Sequence, residues 1–143
     1  MNFVQRTIVA LAITVSLSSG AIAAEQKSLY ERLGGKPALT AVVNELWAVV
    51  AADARINKRF QYTKPEIFGA QLVDFLCQAS GGPCQYSGRD MKSAHTGMKL
   101  TDEEFMALAE DTVKALTKFN VPATEQNEVM NMLGSLKGDV VNR

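Results

Sequence analysis

The sequence predicts an all-α fold, and three observations carry that expectation. No stretch alternates apolar and polar residues with the period of two that a half-buried strand requires. Apolar residues recur instead at three- and four-residue spacing along most of the chain. Thr101-Asp102-Glu103-Glu104 is a capping box with acids in the first turn, a strong local signal for a helix start.

Residues 1–24 stand apart from the rest. MNFVQRTIVALAITVSLSSGAIAA has one early cation (Arg6), an apolar run from Ile8 to Leu17, and then small residues. That is the layout of a secretory signal peptide, with cleavage expected after Ala23 or Ala24 and an uncleaved anchor as the alternative. The apolar run falls short of the roughly 20 residues that span a bilayer. Residues 25–143 are expected to form one domain in an exported, periplasmic protein. The formal charge of zero gives no electrostatic case for nucleic acid or for an anionic membrane as partner.

Within that domain Leu29 to Leu33 reads as a short first helix, ended by Gly34-Gly35, a pair that tolerates the left-handed backbone of a helix terminus. Pro37 is placed to open a second helix, whose Leu39, Val42, Val43, Leu46, Trp47 and Val50 share one face before Asp53. A connector carries Ile56 and Phe60. After Pro65 a third helix sets Phe68, Leu72, Phe75, Leu76 and Ala79 on one side and stops at Gly81-Gly82-Pro83. Residues 85–98 are weakly patterned. The helix begun at Thr101 turns Phe105, Leu108, Ala109, Thr112, Val113 and Leu116 inward and reaches about Phe119. Pro122 begins one last helix with Val129, Met132, Leu133, Leu136 and Val140 inward. The sum is two long helix pairs joined by a loose segment, an unusually long connection for such a domain.

Cys77 and Cys84 flank the Gly81-Gly82-Pro83 turn. In an exported chain a disulfide is the favoured state, contributing roughly 2.5 kcal/mol through the entropy of the closed loop. Neither cysteine forms C-x-x-C-H with a histidine, so covalent c-type haem attachment is not expected. One His with two Cys also lacks the fourth ligand of a structural zinc site.

His95 is the only histidine in the chain, on the loose segment. A partly buried imidazole bonded to backbone carbonyls is one reading of it. The other is axial ligation of haem iron, which asks for one neutral imidazole and an apolar slot opposite. The nearby helix offers such an aromatic and aliphatic face without charge.

Leu33-Gly34-Gly35, Phe60, Gly81-Gly82-Pro83, Tyr86-x-Gly88, Met91-Lys92-x-x-His95-x-Gly97 and Val121-Pro122 together resemble the group I truncated haemoglobins. The resemblance covers about Leu29 to Val141 and needs no gap from Leu33 to Pro122. It implies a two-over-two helical sandwich around non-covalent haem b, with His95 as proximal iron ligand on a short helix. It also implies that the second ring nitrogen donates to a backbone carbonyl near Met91. Phe60 matches the aromatic on the haem face, and Met91, Met98 and Phe105 fall where the family lines its pocket, positions that ordinary core would fill equally. Lys92 or Arg89 would meet a propionate, or be solvated surface charge.

The distal side departs from the family. Where the family places a donating Tyr on the second helix and a Gln on the third, this chain has Trp47 and Leu72. Phe68 stands at the third-helix position that often gates the haem. Trp47 offers one indole N–H and the other two offer none; Gln71 and Tyr62 are the remaining conceivable donors. Leu76 stands where the family's tunnel carries a gating Phe, so a gated tunnel is not expected. With a single histidine, a bis-histidine haem is excluded.

Three functions follow from the resemblance and the residues. The first is reversible binding of a diatomic gas (oxygen, nitric oxide or carbon monoxide) at an open distal site. The second is a haem enzyme, a nitric oxide dioxygenase or a peroxidase-like activity, the former needing a redox partner that the residues do not name. The third is a haem-free helical binding module.

Overall fold

Ser28 opens the first helix, α1 (Leu29–Arg32), by a full capping box with Glu31. The structure is a computed structural model that describes residues 26–143; the expected export signal over 1–24 lies outside the described residues. Gly34 and Gly35 take left-handed φ values of 97° and 74° and turn the chain into α2 (Gly35–Ala52). This helix starts two residues before Pro37. Proline is tolerated there because first-turn N–H groups have no intrahelical partner to lose.

A 3-10 turn, Asn57–Phe60, follows the buried Ile56 and leads to α3 (Pro65–Ala79), with Pro65 in its first turn. The loose segment contains one short helix, α4 (Met91–His95), capped by Asp90, whose Oδ1 accepts from Ser93 N at 2.9 Å. Next comes α5 (Asp102–Lys118), which starts with the expected capping box between Thr101 and Glu104. The last expected helix is two, α6 (Ala123–Ser135) and α7 (Lys137–Val140), divided at Leu136. Gly134 and Gly138 flank the break and weaken a continuous helix there.

Packing follows the two-over-two arrangement: α2 lies on α3, α5 on α6, and α2 crosses α5 to join the pairs. Val42, Leu46 and Val50 meet Ala107, Ala115, Leu116 and Val129 in one core cluster. A second cluster brings Leu39 and Val43 against Val73 and Cys77. Among the described residues the only β-type pairing is an isolated bridge between Leu100 and Val141. None of the described helices is long and apolar enough to cross a membrane.

Two inward expectations need correction. On α3 the fully buried residues are Val73 and Cys77, while Phe68, Leu72, Phe75 and Leu76 are half-buried and Ala79 is exposed. Phe68, Leu72 and Leu76 of the expected stripe do pack on α2 residues, but the positions sealed completely are the adjoining Val73 and Cys77. On α5, Val113 is exposed and Asp111 is completely buried. Asp111 Oδ1 accepts from Lys114 Nζ at 2.7 Å, and its Oδ2 has no partner.

Cys77 and Cys84 are joined in a disulfide, as the sequence led one to expect. The bond ties the end of α3 to the segment leading to α4.

Candidate functional site

The site lies between two walls, one built from α2, the 3-10 turn and α3, the other from α4 and the start of α5. On the first wall three aromatic rings meet, Phe60 edge to face with both Trp47 and Phe68, and Trp47 tilted at 51° to Phe68. Trp47 and Phe60 centroids lie 6.0 Å apart, Trp47 and Phe68 5.8 Å, and Phe60 and Phe68 5.6 Å. All three are half-buried, as are Leu72 and Leu76 further along α3. Edge-on packing of this kind fixes the rings relative to one another. Trp47 and Phe60 also border an outer cleft of about 410 Å³ shared with Asn57, Lys58 and Gln61.

On the second wall His95 is the last residue of α4 and half-buried. Its Nδ1 lies 2.7 Å from the Met91 carbonyl oxygen, one helical turn back. A carbonyl only accepts, so Nδ1 carries the proton and Nε2 is left with its lone pair. Nε2 forms no hydrogen bond among the described residues. Met91 and Phe105 are half-buried, whereas Met98 is 37% exposed and the least enclosed of the expected pocket residues.

A five-residue helix has little stability of its own, so the placement of α4 comes from its attachments. It packs on α7 and makes no comparable contact with α2 or α3. The loop after it is fastened to the C-terminus, with Lys99 N donating to Arg143 O at 2.8 Å and Asn142 N to Leu100 O at 2.9 Å. On its other side, Tyr86 N donates to Gln78 Oε1 at 2.7 Å and the Tyr86 ring meets Phe75 edge-on at 5.3 Å. A Cβ at Gly88 would lie 2.3 Å from the Tyr86 ring, which accounts for glycine in that pair.

The two walls are joined directly by Arg59, which the sequence did not single out. Its guanidinium grips Glu104 with Nε–Oε1 at 2.6 Å and Nη2–Oε2 at 2.9 Å, and Nη1 donates to the Met98 carbonyl at 3.1 Å. The Arg59 guanidinium holds the Glu104 carboxyl below the ordinary glutamate range. Arg59 therefore pins the turn carrying Phe60 to the loop that follows His95.

The expected secondary contacts divide. Arg89 and Lys92 are exposed, without ion pairs among the described residues. Tyr62 is 91% exposed and Gln71 is exposed, so neither turns toward the wall between the helix pairs. Trp47 is the one remaining candidate donor there, and its indole N–H has no partner among the described residues.

A bacterial-like globin family profile matches residues 28–142. The group 1 truncated haemoglobin GlbN of a Nostoc species is 33% identical over 116 residues, covering 81% of this chain and 98% of that protein. The corresponding protein of Mycolicibacterium paratuberculosis is 32% identical over 82% of this chain and 86% of its own length. Among solved structures, the Fe(III) form of the truncated haemoglobin from Tetrahymena pyriformis superposes with a TM-score of 0.79 at 32% identity, covering 82% of this chain and all of that one. The 2/2 haemoglobin of Synechococcus, with covalently attached haem, superposes with a TM-score of 0.76 at 36% identity and covers the same 82% of this chain and all of its own. With its helical sandwich, its wall-mounted histidine and these relatives, the chain belongs to the bacterial-like globins and, within them, to the group 1 truncated haemoglobins.

Proposed function

We propose that this protein reversibly binds a diatomic gas, with His95 as the proximal ligand of its haem and Trp47 as the polar group on the opposite side. Family membership brings non-covalent haem b as the cofactor. The residues fit that group. Half-buried Phe60, Phe68, Leu72, Met91 and Phe105 offer apolar surface to a flat macrocycle from both walls. A non-covalent attachment agrees with the side chains on hand, because both cysteines are spent on each other and the single imidazole is needed at the iron.

One observation carries the reading: the Met91 carbonyl fixes the His95 proton on Nδ1 and leaves the Nε2 lone pair free to ligate. When bound, the haem supplies a ferrous iron at which a small diatomic ligand can be held. The chain's own part is then threefold. His95 holds the group from one side, the Trp47–Phe60–Phe68 cluster keeps the other side dry, and the absence of a second histidine leaves that side open. Phe68 and Leu72 cannot donate, so any hydrogen bond to a ligand on that side comes from Trp47.

The same inventory argues against a peroxidase, which needs an acid–base group on the ligand side. A dioxygenase is disfavoured by so few donors to retain oxygen. The signal-peptide layout and the disulfide both support action outside the cytoplasm.

Replacing His95 by Ala tests the assignment. The variant is expected to lose stable haem retention and the ferrous Soret band of the parent. Unchanged haem stoichiometry and an unchanged spectrum would refute proximal ligation by His95.

A further inference from the structure

Two hydrogen bonds link the 3-10 turn to the backbone of His95 through a single residue, Met98. Arg59 Nη1 donates to the Met98 carbonyl at 3.1 Å. Met98 N in turn donates to His95 O at 3.1 Å, which closes the loop directly on the histidine. The N–H of the peptide that Arg59 grips belongs to Lys99 and donates to Arg143 O at 2.8 Å, so this one peptide group is held from both ends.

The loop needs that hold. Gly97 and Lys99, on either side of Met98, both take left-handed backbone, with φ of 86° and 49°. For a lysine that conformation is unfavourable unless surrounding contacts compensate. The guanidinium that supplies one of them is itself firmly seated. Its fork takes both Glu104 oxygens, at 2.6 and 2.9 Å, and Glu104 Oε2 also accepts from Thr101 N at 2.9 Å where α5 begins. A bidentate pair of this kind fixes direction as well as distance. The Glu104 side chain is 19% exposed, better sheltered from solvent screening than a free surface pair. The residue after Arg59 is Phe60, whose ring meets Trp47 and Phe68.

We propose that Arg59 is a positioning residue for the iron ligand. It fixes the Met98–Lys99 peptide, and through Met98 the end of α4, against the turn that carries Phe60. In doing so it sets the distance and tilt of the His95 ring relative to the aromatic wall. The proposal rests on the haem reading above, because ring orientation governs how strongly an imidazole ligates. Arg59 acts through the backbone alone, its guanidinium being bonded to Glu104 and the Met98 carbonyl. A merely stabilising role can be told apart, since the same segment carries a second arginine of similar kind. Arg55 grips Asp53 at 2.9 Å and Glu110 at 2.7 Å, and so also ties this segment to α5. None of its partners lies in the loop after His95.

The test reads the iron–histidine stretching band of the unliganded ferrous holoprotein by resonance Raman, together with the rate of hemin transfer to excess apomyoglobin. In Arg59→Met the band is expected to move and broaden, and hemin release to accelerate about three- to tenfold. Glu104→Gln keeps an acceptor for Thr101 N while loosening the grip on Arg59, and should displace the band in the same direction by less. Arg55→Met should lower the urea midpoint as Arg59→Met does, yet keep the parent band. An unmoved band in both Arg59→Met and Glu104→Gln overturns the proposal. So does an equal displacement in Arg55→Met, which would signify general loosening. A band missing from the parent defeats the haem reading itself, whereas a band present in the parent and unmoved in the variants defeats only the positioning role. Independently of iron, hydrogen exchange at the Met98 N–H of the full chain should be at least about threefold faster in Arg59→Met than in Arg55→Met. Equal exchange in the two overturns the tie between Arg59 and the loop.

Discussion

On the proposed reading, replacing Trp47 by Phe isolates the one polar contribution available on the ligand side. The substitution keeps an aromatic ring beside Phe60 and Phe68, whose centroids lie 6.0 and 5.8 Å from that of Trp47, and removes only the N–H and part of the ring. Phe68 and Leu72 carry no donor, and Tyr62 and Gln71 are turned to solvent. The variant's ligand side is therefore donor-free. A hydrogen bond to a partly charged acceptor is worth about 1–3 kcal/mol, and that difference in the barrier to escape corresponds to a roughly 5- to 150-fold faster oxygen dissociation. Carbon monoxide, which accumulates little charge when held by ferrous iron, should dissociate at nearly the parent rate. Stopped-flow displacement of oxygen by carbon monoxide, and of carbon monoxide by nitric oxide, measures both. An oxygen off-rate within a factor of two of the parent would show that the indole does not donate. Equal acceleration of both gases would show that the ring acts by bulk and not by its N–H.

Three further outcomes follow from the packing and the ion pairs. The double variant Cys77→Ala/Cys84→Ala should lower Tm by about 10 °C, from roughly 2.5 kcal/mol of lost loop constraint in a domain of this size; thermal unfolding followed by circular dichroism, at matched haem content, would detect it, and an unaltered Tm would refute it. Lys114→Met should cost about 1–3 kcal/mol, because Asp111 is completely buried and would keep only Arg55, at 4.0 Å, as a cationic neighbour. Lys36→Met, which breaks an exposed and solvent-screened pair with Asp74, should leave stability nearly unchanged, and urea unfolding separates the two. Acid should destabilise the fold in a defined window. Arg55 pushes the Asp53 carboxyl down from 3.8 to about 2, and Arg59 holds Glu104 below 4.5. Groups lowered in the folded state stabilise it above their unfolded values and lose that contribution as pH falls through the folded ones. Denaturant midpoints should be flat above about pH 5 and decline steadily toward pH 2; a midpoint unchanged between pH 5 and pH 3 would contradict these pairs.

What was legible in the sequence was whatever depends on neighbours along the chain. The Thr101–Glu104 capping box, the left-handed Gly34-Gly35 junction and the start of α3 at Pro65 are each decided within four residues, and each was found where expected. The acceptor for His95 also lies four residues back, so the family expectation of a carbonyl near Met91 needed only helical geometry to hold. Decisions that depend on distant segments were not legible. Spacing marked Phe68, Leu72 and Leu76 as the inward stripe of α3, and they do meet α2, but it did not mark the adjoining Val73 and Cys77 as the positions that distant segments seal completely. The burial of Asp111 was not legible, since nothing near it in sequence says that Ala107 and Ala115, on the same side of α5, will be sealed completely by tertiary packing. Arg59 and Glu104 stand 45 positions apart, beyond any local pattern.

The attachment of α4 connects these two kinds of information. Its sequence supplies a cap and an imidazole but too few residues to form a stable helix alone. The position of His95 is consequently imposed from three directions: by α7 and the C-terminal backbone bonds at Lys99 and Leu100, by Tyr86 packed on Phe75 of α3, and by Arg59 through the Met98 carbonyl. Two of these attachments begin on the wall that carries Phe60, Phe68 and Leu72. The distance between the imidazole and the aromatic cluster is thus set jointly by both walls, and a change in the 3-10 turn reaches His95 through Arg59 without touching α4. On the proposed reading, in which the haem lies between a single ring nitrogen and an apolar wall, the turn at Asn57–Phe60 is as much part of the site as the histidine itself.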